Sequence, residues 1–170
     1  MSKRELNKYL DTLSHEQMKE QVLDLYGRFK EVKEFYNFVF NPKEDKLLED
    51  ARFKISKEYF PISSRRPKAR RSVAQKLIKH FIRLGVDPLV VGDLMLYNLE
   101  IAQSYSATRF IRQDSFFTSM LRSFDEALSY LLEHGLRDEF EDRIQDIVKQ
   151  SFEQNWFNRG AFEQLAGKSE

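Results

Sequence analysis

Residues 87–105, DPLVVGDLMLYNLEIAQSY, are the most apolar part of this sequence and largely decide its predicted fold. Asp87-Pro88 is a helix-start signal, because an aspartate side chain accepts hydrogen bonds from the first free amides and proline suits the first helical position. The residues that follow are apolar on nearly every side of a helix. Such a helix has to be covered all round, so we expect it at the centre of an all-α domain, from Leu89 to about Tyr105.

The composition favours long helices packed into one domain. The chain has 170 residues, of which 41% are hydrophobic and 15 are phenylalanine, so it is long enough to bury a core. Only 6 glycines and 4 prolines interrupt it, too few for the many turns of a sandwich or barrel. We therefore predict a single all-α domain over residues 1–170.

The sequence also limits the chemistry and the compartment. It has no cysteine, which excludes disulfides, thiol nucleophiles and cysteine-bound zinc. The first residues, Met1 to Leu13, are charged and lack the apolar core of a secretion signal. The stretch from Leu89 to Ala102 is too short to cross a membrane and contains Asp93 and Glu100. These features predict a cytoplasmic protein with no membrane partner.

Apolar periodicity predicts about seven helices and a short C-terminal one. Two capping boxes, Ser2 with Glu5 and Ser14 with Gln17, mark the first two starts, because each pair satisfies two free backbone amides. We expect the aromatic residues of the last segment to dock on the body of the domain. The predicted helices after the second run from Pro42 to about Tyr59, from Pro67 or Ser72 to Gly85, from Leu89 to about Tyr105, through Phe116–Leu131, through Phe140–Phe152, and through Trp156–Leu165.

A heptad-like seam runs along the second predicted helix, residues 14–40. Its members are spaced alternately four and three residues apart, which is the spacing of a continuous apolar stripe. Gly27 lies inside it and either weakens the helix or marks a bend. The stripe packs against a neighbouring helix of the same chain or against a second copy in a homodimer. Its members are Met18, Val22, Leu25, Phe29, Val32, Tyr36 and Val39.

Two helix–glycine–helix junctions predict how the helices are arranged. They are residues 84–87, LGVD, and residues 134–137, HGLR. Glycine commonly ends a helix, and so short a link forces the helices on either side of it into an antiparallel hairpin. Stacked hairpins of this kind fit either an irregular bundle or an α-solenoid-like array.

The basic charge is concentrated in one segment. Between Pro61 and Val86 there are eight basic residues and no acidic one, in a chain whose net charge is +1. A basic loop that leads into a helix start attracts anions, because the side-chain charge and the helix dipole have the same sign there. The candidate binding residues are Arg65, Arg66, Lys68, Arg70, Arg71, Lys76 and Lys79, and Arg83 completes the basic run.

This basic segment has three interpretations. It docks an acidic protein partner, it binds nucleic acid or another polyanion by neutralising its backbone, or it pairs with acidic side chains of the protein's own later helices. We expect a non-catalytic interaction module that docks an acidic protein partner or self-associates, with nucleic-acid or polyanion binding through residues 65–83 as the alternative. The acidic residues in question are Asp125, Glu126, Glu133, Asp138, Glu139, Glu141, Asp142 and Asp146.

No pattern in the sequence predicts catalysis. His15, His80 and His134 are scattered, and no two have the spacing of metal ligands on a helix. The sequence contains no glycine-rich phosphate loop and no G-x-S-x-G nucleophile motif. We therefore predict no catalytic residue, no metal site and no cofactor, and the sequence argues against an enzyme.

Four strings of this sequence are distinctive. They are residues 2–6, SKREL, residues 24–30, DLYxRFK, residues 40–47, FNPKEDKL, and residues 66–72, RPKARRS. In these strings the chain resembles a small family of bacterial proteins that is classed only as a domain of unknown function. The resemblance implies a bacterial origin and a stand-alone small protein. It carries over no functional residue, because that family attaches no chemistry to these strings.

Overall fold

The computed structural model describes residues 1–62 and 66–167, and all the regular structure in these residues is helical. The all-α class predicted from the sequence is therefore confirmed. The chain divides into two compact units, Met1–Pro42 and Lys43–Glu170. The single domain over residues 1–170 stays a prediction.

The N-terminal unit contains three helices, α1 (Lys3–Leu10), α2 (His15–Arg28) and α3 (Lys30–Phe40). Both predicted capping boxes are present. The Ser2 hydroxyl accepts from the Glu5 amide while the Glu5 carboxylate accepts from the Ser2 amide, and Ser14 and Gln17 repeat this arrangement before α2. Reciprocal caps satisfy two backbone amides at each helix start, so local sequence alone accounts for these two starts.

The helix predicted over residues 14–40 is not continuous, because the chain breaks at Phe29. This residue has an extended backbone, with φ −112° and ψ 119°, and α3 begins one residue later. Gly27 weakens the end of α2, since glycine costs about 1 kcal/mol relative to alanine in a helix interior. Helices α2 and α3 contact each other, and the rings of Tyr26 and Tyr36 lie edge to face at a centroid distance of 6.3 Å.

The C-terminal unit is built around one helix. Helix α6 is covered by α4, α5, α7 and α8, and its side chains Leu94, Leu96 and Leu99 have no exposed surface. The central position predicted for this helix is confirmed, and the arrangement is that of an irregular bundle. In chain order the helices are α4 (Glu44–Tyr59), α5 (Arg71–Leu84), α6 (Pro88–Ala107), α7 (Asp114–Glu133), α8 (Glu141–Glu153) and α9 (Arg159–Ala166), with a 3₁₀ turn at Asp138–Phe140.

The two predicted glycine junctions end their helices as expected. Gly85 and Gly135 have φ values of 73° and 66°, in the left-handed region that favours glycine. The amide after each glycine reaches back to the last turn of the helix: Val86 donates to the Phe81 carbonyl at 3.2 Å, and Leu136 to the Leu131 carbonyl at 2.8 Å. These bonds satisfy carbonyls that a helix end otherwise leaves free.

The C-terminal segment docks on the bundle through its aromatic side chains, as predicted. Trp156 is 2% exposed and Phe162 is fully buried. The Trp156 ring contacts Phe162 at a centroid distance of 5.5 Å and Phe117 of α7 at 5.2 Å. Edge-to-face contacts of this kind add to the free energy gained by burying the rings.

A charged network lies along the one polar edge of α6. Arg143 on α8 donates to Asp93 at 2.7 Å and to both carboxylate oxygens of Glu100 at 2.7 and 3.0 Å. Arg52 on α4 donates to the other oxygen of Asp93 at 2.5 Å. Two arginines thereby satisfy two carboxylates and tie α4 and α8 to the central helix.

Gly92 of α6 lies close to side chains of α7 and of the 3₁₀ turn. A methyl group at this position would lie 2.7 Å from Leu131 Cδ2 and 3.3 Å from Phe140 Cε2. Leu131 is fully buried, so shifting its side chain disturbs the packing around it. We therefore expect Gly92→Val to lower the free energy of unfolding by about 2 kcal/mol, measured by urea denaturation, because an overpacked core is strained.

Gly160→Val is the matched control. Gly160 lies in α9, and a Cβ atom there would meet nothing within 4 Å. We expect this control to change the unfolding free energy by less than about 0.5 kcal/mol. Equal losses in the two variants would mean that the close approach at Gly92 does not determine the stability of the bundle.

Candidate polyanion-binding surface

Two short connections of the C-terminal unit meet at one end of helix α6. Because the tight turn at Gly85 makes α5 and α6 antiparallel, the start of α5 lies beside the end of α6. Residues 66–70 lead into α5, and residues 108–113 lead out of α6. Side chains from both connections line a common groove, Lys68 from the first and Arg109 and Arg112 from the second.

The seven predicted binding residues have different surroundings. Arg66, Lys68, Lys76 and Lys79 are exposed, and within residues 1–62 and 66–167 none of the four has a carboxylate partner within 4 Å. Arg65 lies outside the described residues. These four side chains therefore keep their charge available to an external partner.

Arg70 and Arg71 are engaged within the fold. Arg70 donates through Nε and one terminal nitrogen to both carboxylate oxygens of Glu58, each at 2.8 Å. Arg71 donates through Nε to the Ser123 hydroxyl at 2.8 Å and forms an ion pair with Glu126 at 2.7 Å. The pairing with the acidic later helices that the sequence suggested therefore holds for Arg71, whereas Arg70 pairs with α4.

Glu58, at the end of α4, holds the first connection in place. Its backbone carbonyl accepts hydrogen bonds from the backbone amides of Lys68 and Ala69 at 3.0 and 2.9 Å. Ala69 has a φ of 46°, a left-handed conformation that costs an alanine energy and is kept here by these bonds. The Arg70 guanidinium holds the pKa of the Glu58 carboxyl below its ordinary value, and Glu58 raises the pKa of Arg70 in return.

The first groove, of about 470 Å³, lies between the end of α4 and the first connection. Among the described residues that line it, Lys57, Arg66 and Lys68 have no carboxylate within 4 Å, whereas Arg70 is paired with Glu58. Its apolar wall includes Ile62, which is 76% exposed. The full lining is Lys57, Glu58, Pro61, Ile62, Arg66, Lys68 and Arg70.

The second groove, of about 560 Å³, lies between the two connections, and none of the described residues that line it is acidic. The Arg109 guanidinium lies over the Tyr105 ring, 5.4 Å from its centroid, and this cation–π contact orders the arginine. The lining residues are Pro67, Lys68, Ala69, Tyr105, Arg109, Phe110, Ile111, Arg112, Gln113 and Phe116.

The third groove, of about 430 Å³, lies on the other side of the second connection and is rich in aromatic side chains. Phe110 is 88% exposed and Phe157 is 58% exposed. Asp114 is its one carboxylate among the lining residues. These are Ser106, Arg109, Phe110, Ile111, Arg112, Asp114, Phe117, Gln154, Asn155, Trp156 and Phe157.

These three neighbouring surfaces, here named the basic grooves, share residues and so form one track. Lys68 lines the first and second grooves, and residues 109–112 line the second and third. Among the described residues, they together present six cations and two carboxylates, of which Glu58 is already paired with Arg70. A track of this kind can hold several anionic groups at once while leaving aromatic rings open to contact.

Sequence reasoning identified the first connection and missed the second. Arg109 and Arg112 are only two cations, and they lie outside the long basic run. A signal was nevertheless present, because no acidic residue occurs between Glu100 and Asp114, and Phe110 and Ile111 stand in a connection where polar residues are usual. The meeting of the two connections, however, follows from the antiparallel packing of α5 on α6.

Two further observations concern metal sites and membrane-spanning helices. In the part that the structure describes, no group of three or more histidine, aspartate or glutamate side chains is placed to hold a metal ion. Among the same residues, no helix is both long enough and apolar enough to cross a membrane.

We expect Glu58→Gln to loosen the first connection and to lower the free energy of unfolding by about 1 kcal/mol at neutral pH, because a charge-assisted pair that is half open to water is lost. Glu49→Gln, an exposed carboxylate on the same helix, is the control and should change little. Thermal and urea unfolding measure both variants. An equal effect of the two substitutions would contradict the role of Glu58.

The effect of Glu58 depends on pH. Its pKa is lower in the folded protein than its ordinary value of 4.5, so its contribution is present above that value and is lost as the pH falls through the folded pKa. The difference in unfolding free energy between the wild type and Glu58→Gln should therefore be constant near neutral pH and shrink in acid. A difference that grows as the pH falls would contradict this assignment.

Comparison with known proteins assigns this chain to a family but assigns it no biochemical function. A family model described as "Family of unknown function (DUF6155)" matches residues 1–170. No curated protein and no solved structure shows a significant match to this chain. The match confirms the resemblance to a family without an assigned function that the sequence strings suggested. The chain therefore belongs to the family of unknown function DUF6155.

Proposed function

We propose that this protein is a non-catalytic binding module that holds an acidic partner in the basic grooves. One observation carries the proposal: cations from two separate connections line a continuous track and are not neutralised by the fold. Arg66, Lys68 and Arg112 are exposed and have no carboxylate within 4 Å among the described residues. A folded protein that keeps like charges together in this way tolerates their repulsion, which an anionic partner relieves.

The form of the surface favours an extended partner over a small anion. The grooves are wide and open, and their cations are spread over three adjoining surfaces. A single phosphate or carboxylate contacts one or two of these cations, whereas a chain of anionic groups contacts many and displaces the counterions from all of them. A cytoplasmic location, predicted from the sequence, is part of the same proposal.

The non-catalytic part of the proposal rests on the sequence. Its three histidines share no metal-ligand spacing, and no nucleophile or phosphate-loop motif accompanies them. The roles of Lys76 and Lys79, which lie on α5 and line none of the three grooves, stay predictions.

The test is a salt titration with fluorescent polyglutamate, polyphosphate and an oligouridylate of about 12 nucleotides, which spans the usual site sizes for single strands. We expect binding near micromolar Kd at low salt that weakens linearly on a plot of log K against log salt. Replacing Arg66, Arg109 and Arg112 by glutamine should lower the slope for the oligonucleotide by about 2, at about 0.7 for each lost contact.

The control variant changes the net charge by the same amount elsewhere. It replaces Lys46, Lys54 and Lys149, which are exposed on α4 and α8 and line none of the three grooves, by glutamine. We expect its binding to stay close to that of the wild type. Equal weakening of the two variants would show that net charge, and not the basic grooves, attracts the polyanion.

A second candidate function is self-association through the N-terminal unit. No residue of α1, α2 or α3 is buried, although the helices carry the apolar seam. A unit of about 40 residues rarely closes a core by itself and commonly needs a partner. A second copy is a suitable one, because Met1–Pro42 contains seven basic and seven acidic residues and so does not repel itself.

Sedimentation velocity on the full chain tests this second function. We expect a dimer that dissociates on Leu25→Gln, because Leu25 belongs to the seam and is 43% exposed. Leu23→Gln is the matched control, since Leu23 lies on the same helix outside the seam and is 59% exposed. A wild-type protein that stays monomeric up to high concentration would rule out the dimer.

A further inference from the structure

The basic grooves contain exposed aromatic rings as well as cations. Phe110 stands between Arg109 and Arg112 in the second connection and is 88% exposed. Phe157 lines the same third groove and is 58% exposed. Single exposed rings are ordinary on protein surfaces, but two rings beside two guanidinium groups in one groove form a mixed apolar and cationic surface.

Different polyanions use such a surface differently. A peptide made of acidic residues alone, such as polyglutamate, neutralises the cations but has no ring that stacks on the aromatic side chains. A nucleic-acid duplex offers phosphates, but its bases are stacked inside the helix. A single strand offers both phosphates for the cations and exposed bases whose faces stack on aromatic side chains.

We propose that the basic grooves bind single-stranded nucleic acid, with bases stacked on Phe110 and Phe157 and the backbone phosphates on Lys68, Arg109 and Arg112. This inference rests on the proposed function and names its partner. The order of the side chains supports it, because Phe110 lies in the groove on each side of the second connection. A strand that follows the track therefore passes this ring whichever way it runs.

The geometry of Arg109 fits the same partner. Its guanidinium lies over the Tyr105 ring at 5.4 Å, which orders the planar group, and the side chain is exposed to solvent. Planar guanidinium groups stack on bases and also donate to phosphates. A stack of ring, guanidinium and base uses this arrangement without further ordering of the arginine.

Trp156 provides a local reporter for the third groove. It is the single tryptophan of the chain and lines that groove, although only 2% of it is exposed. A base that stacks on Phe110 or Phe157 changes the surroundings of the indole and hence its fluorescence. A polyanion that uses only the cations of the first groove leaves this emission unchanged.

The experiment measures binding of a labelled oligouridylate of about 12 nucleotides, a duplex of equal length and polyglutamate to the full chain, with Trp156 emission recorded alongside. We expect the single strand to bind most tightly and to alter the emission. Phe110→Ala should weaken its binding on the order of tenfold, which corresponds to one lost stacking contact. The salt slope should not change, because the substitution removes no charge.

Phe40→Ala is the matched control. Phe40 is 75% exposed, lies in the N-terminal unit and lines none of the three grooves. We expect the Phe40→Ala variant to bind the single strand as tightly as the wild type does. Both phenylalanines are on the surface, and circular dichroism and thermal unfolding confirm that each variant is folded before its binding is compared.

The outcomes separate this inference from the proposed function. If polyglutamate or the duplex binds as tightly as the single strand and Phe110→Ala has no effect, the stacking proposal is overturned while polyanion binding stands. If none of the three probes binds at low salt, the proposed function fails and this inference fails with it. Tighter single-strand binding that depends on Phe110 but not on Phe40 supports both.

Discussion

Helix α6 has almost no polar face, and keeping water away from it organises the whole C-terminal unit. Four helices cover it, and the two carboxylates on its one polar edge, Asp93 and Glu100, are satisfied by Arg143 and Arg52. Because α5 packs antiparallel to α6, the connection that precedes α5 lies beside the connection that follows α6. The basic grooves are therefore a product of how an apolar helix is covered, since rigid elements position the loops between them.

Some basic side chains of this chain pair with carboxylates within the fold and others are exposed to solvent. The sequence alone does not distinguish the two groups. Arg66 and Lys68 are exposed to solvent. Arg70 and Arg71 follow them within a few residues, yet these two arginines form ion pairs with other helices. The difference comes from what each side chain meets, since Arg70 reaches Glu58 of α4 and Arg71 reaches Glu126 of α7, whereas Arg66 and Lys68 have no carboxylate within 4 Å among the described residues. A run of like charges is thus an unreliable guide to a binding surface until the partners of each residue are known.

Much of the fold was predictable because its signals are local. Asp87-Pro88 marked the start of α6, and Gly85 and Gly135 marked two helix ends, since each depends on backbone conformation over a few residues. The spacing of the seam residues did not predict the break at Phe29, because the same apolar spacing fits one continuous helix and two helices joined as a hairpin. The pairing of Arg71 with Ser123 and Glu126, and the approach of Arg109 to Lys68, join residues far apart in sequence and follow only from packing.

The two connections that form the second groove are about forty positions apart in the sequence and are neighbours only in the folded unit. A partner that spans this groove therefore joins two distant points of the chain without a covalent bond. Unlike a covalent crosslink, which restricts the unfolded chain, a partner that binds only the folded form stabilises that form by mass action. If the basic grooves bind a polyanion as proposed, the stability of the folded unit would rise with the concentration of that polyanion.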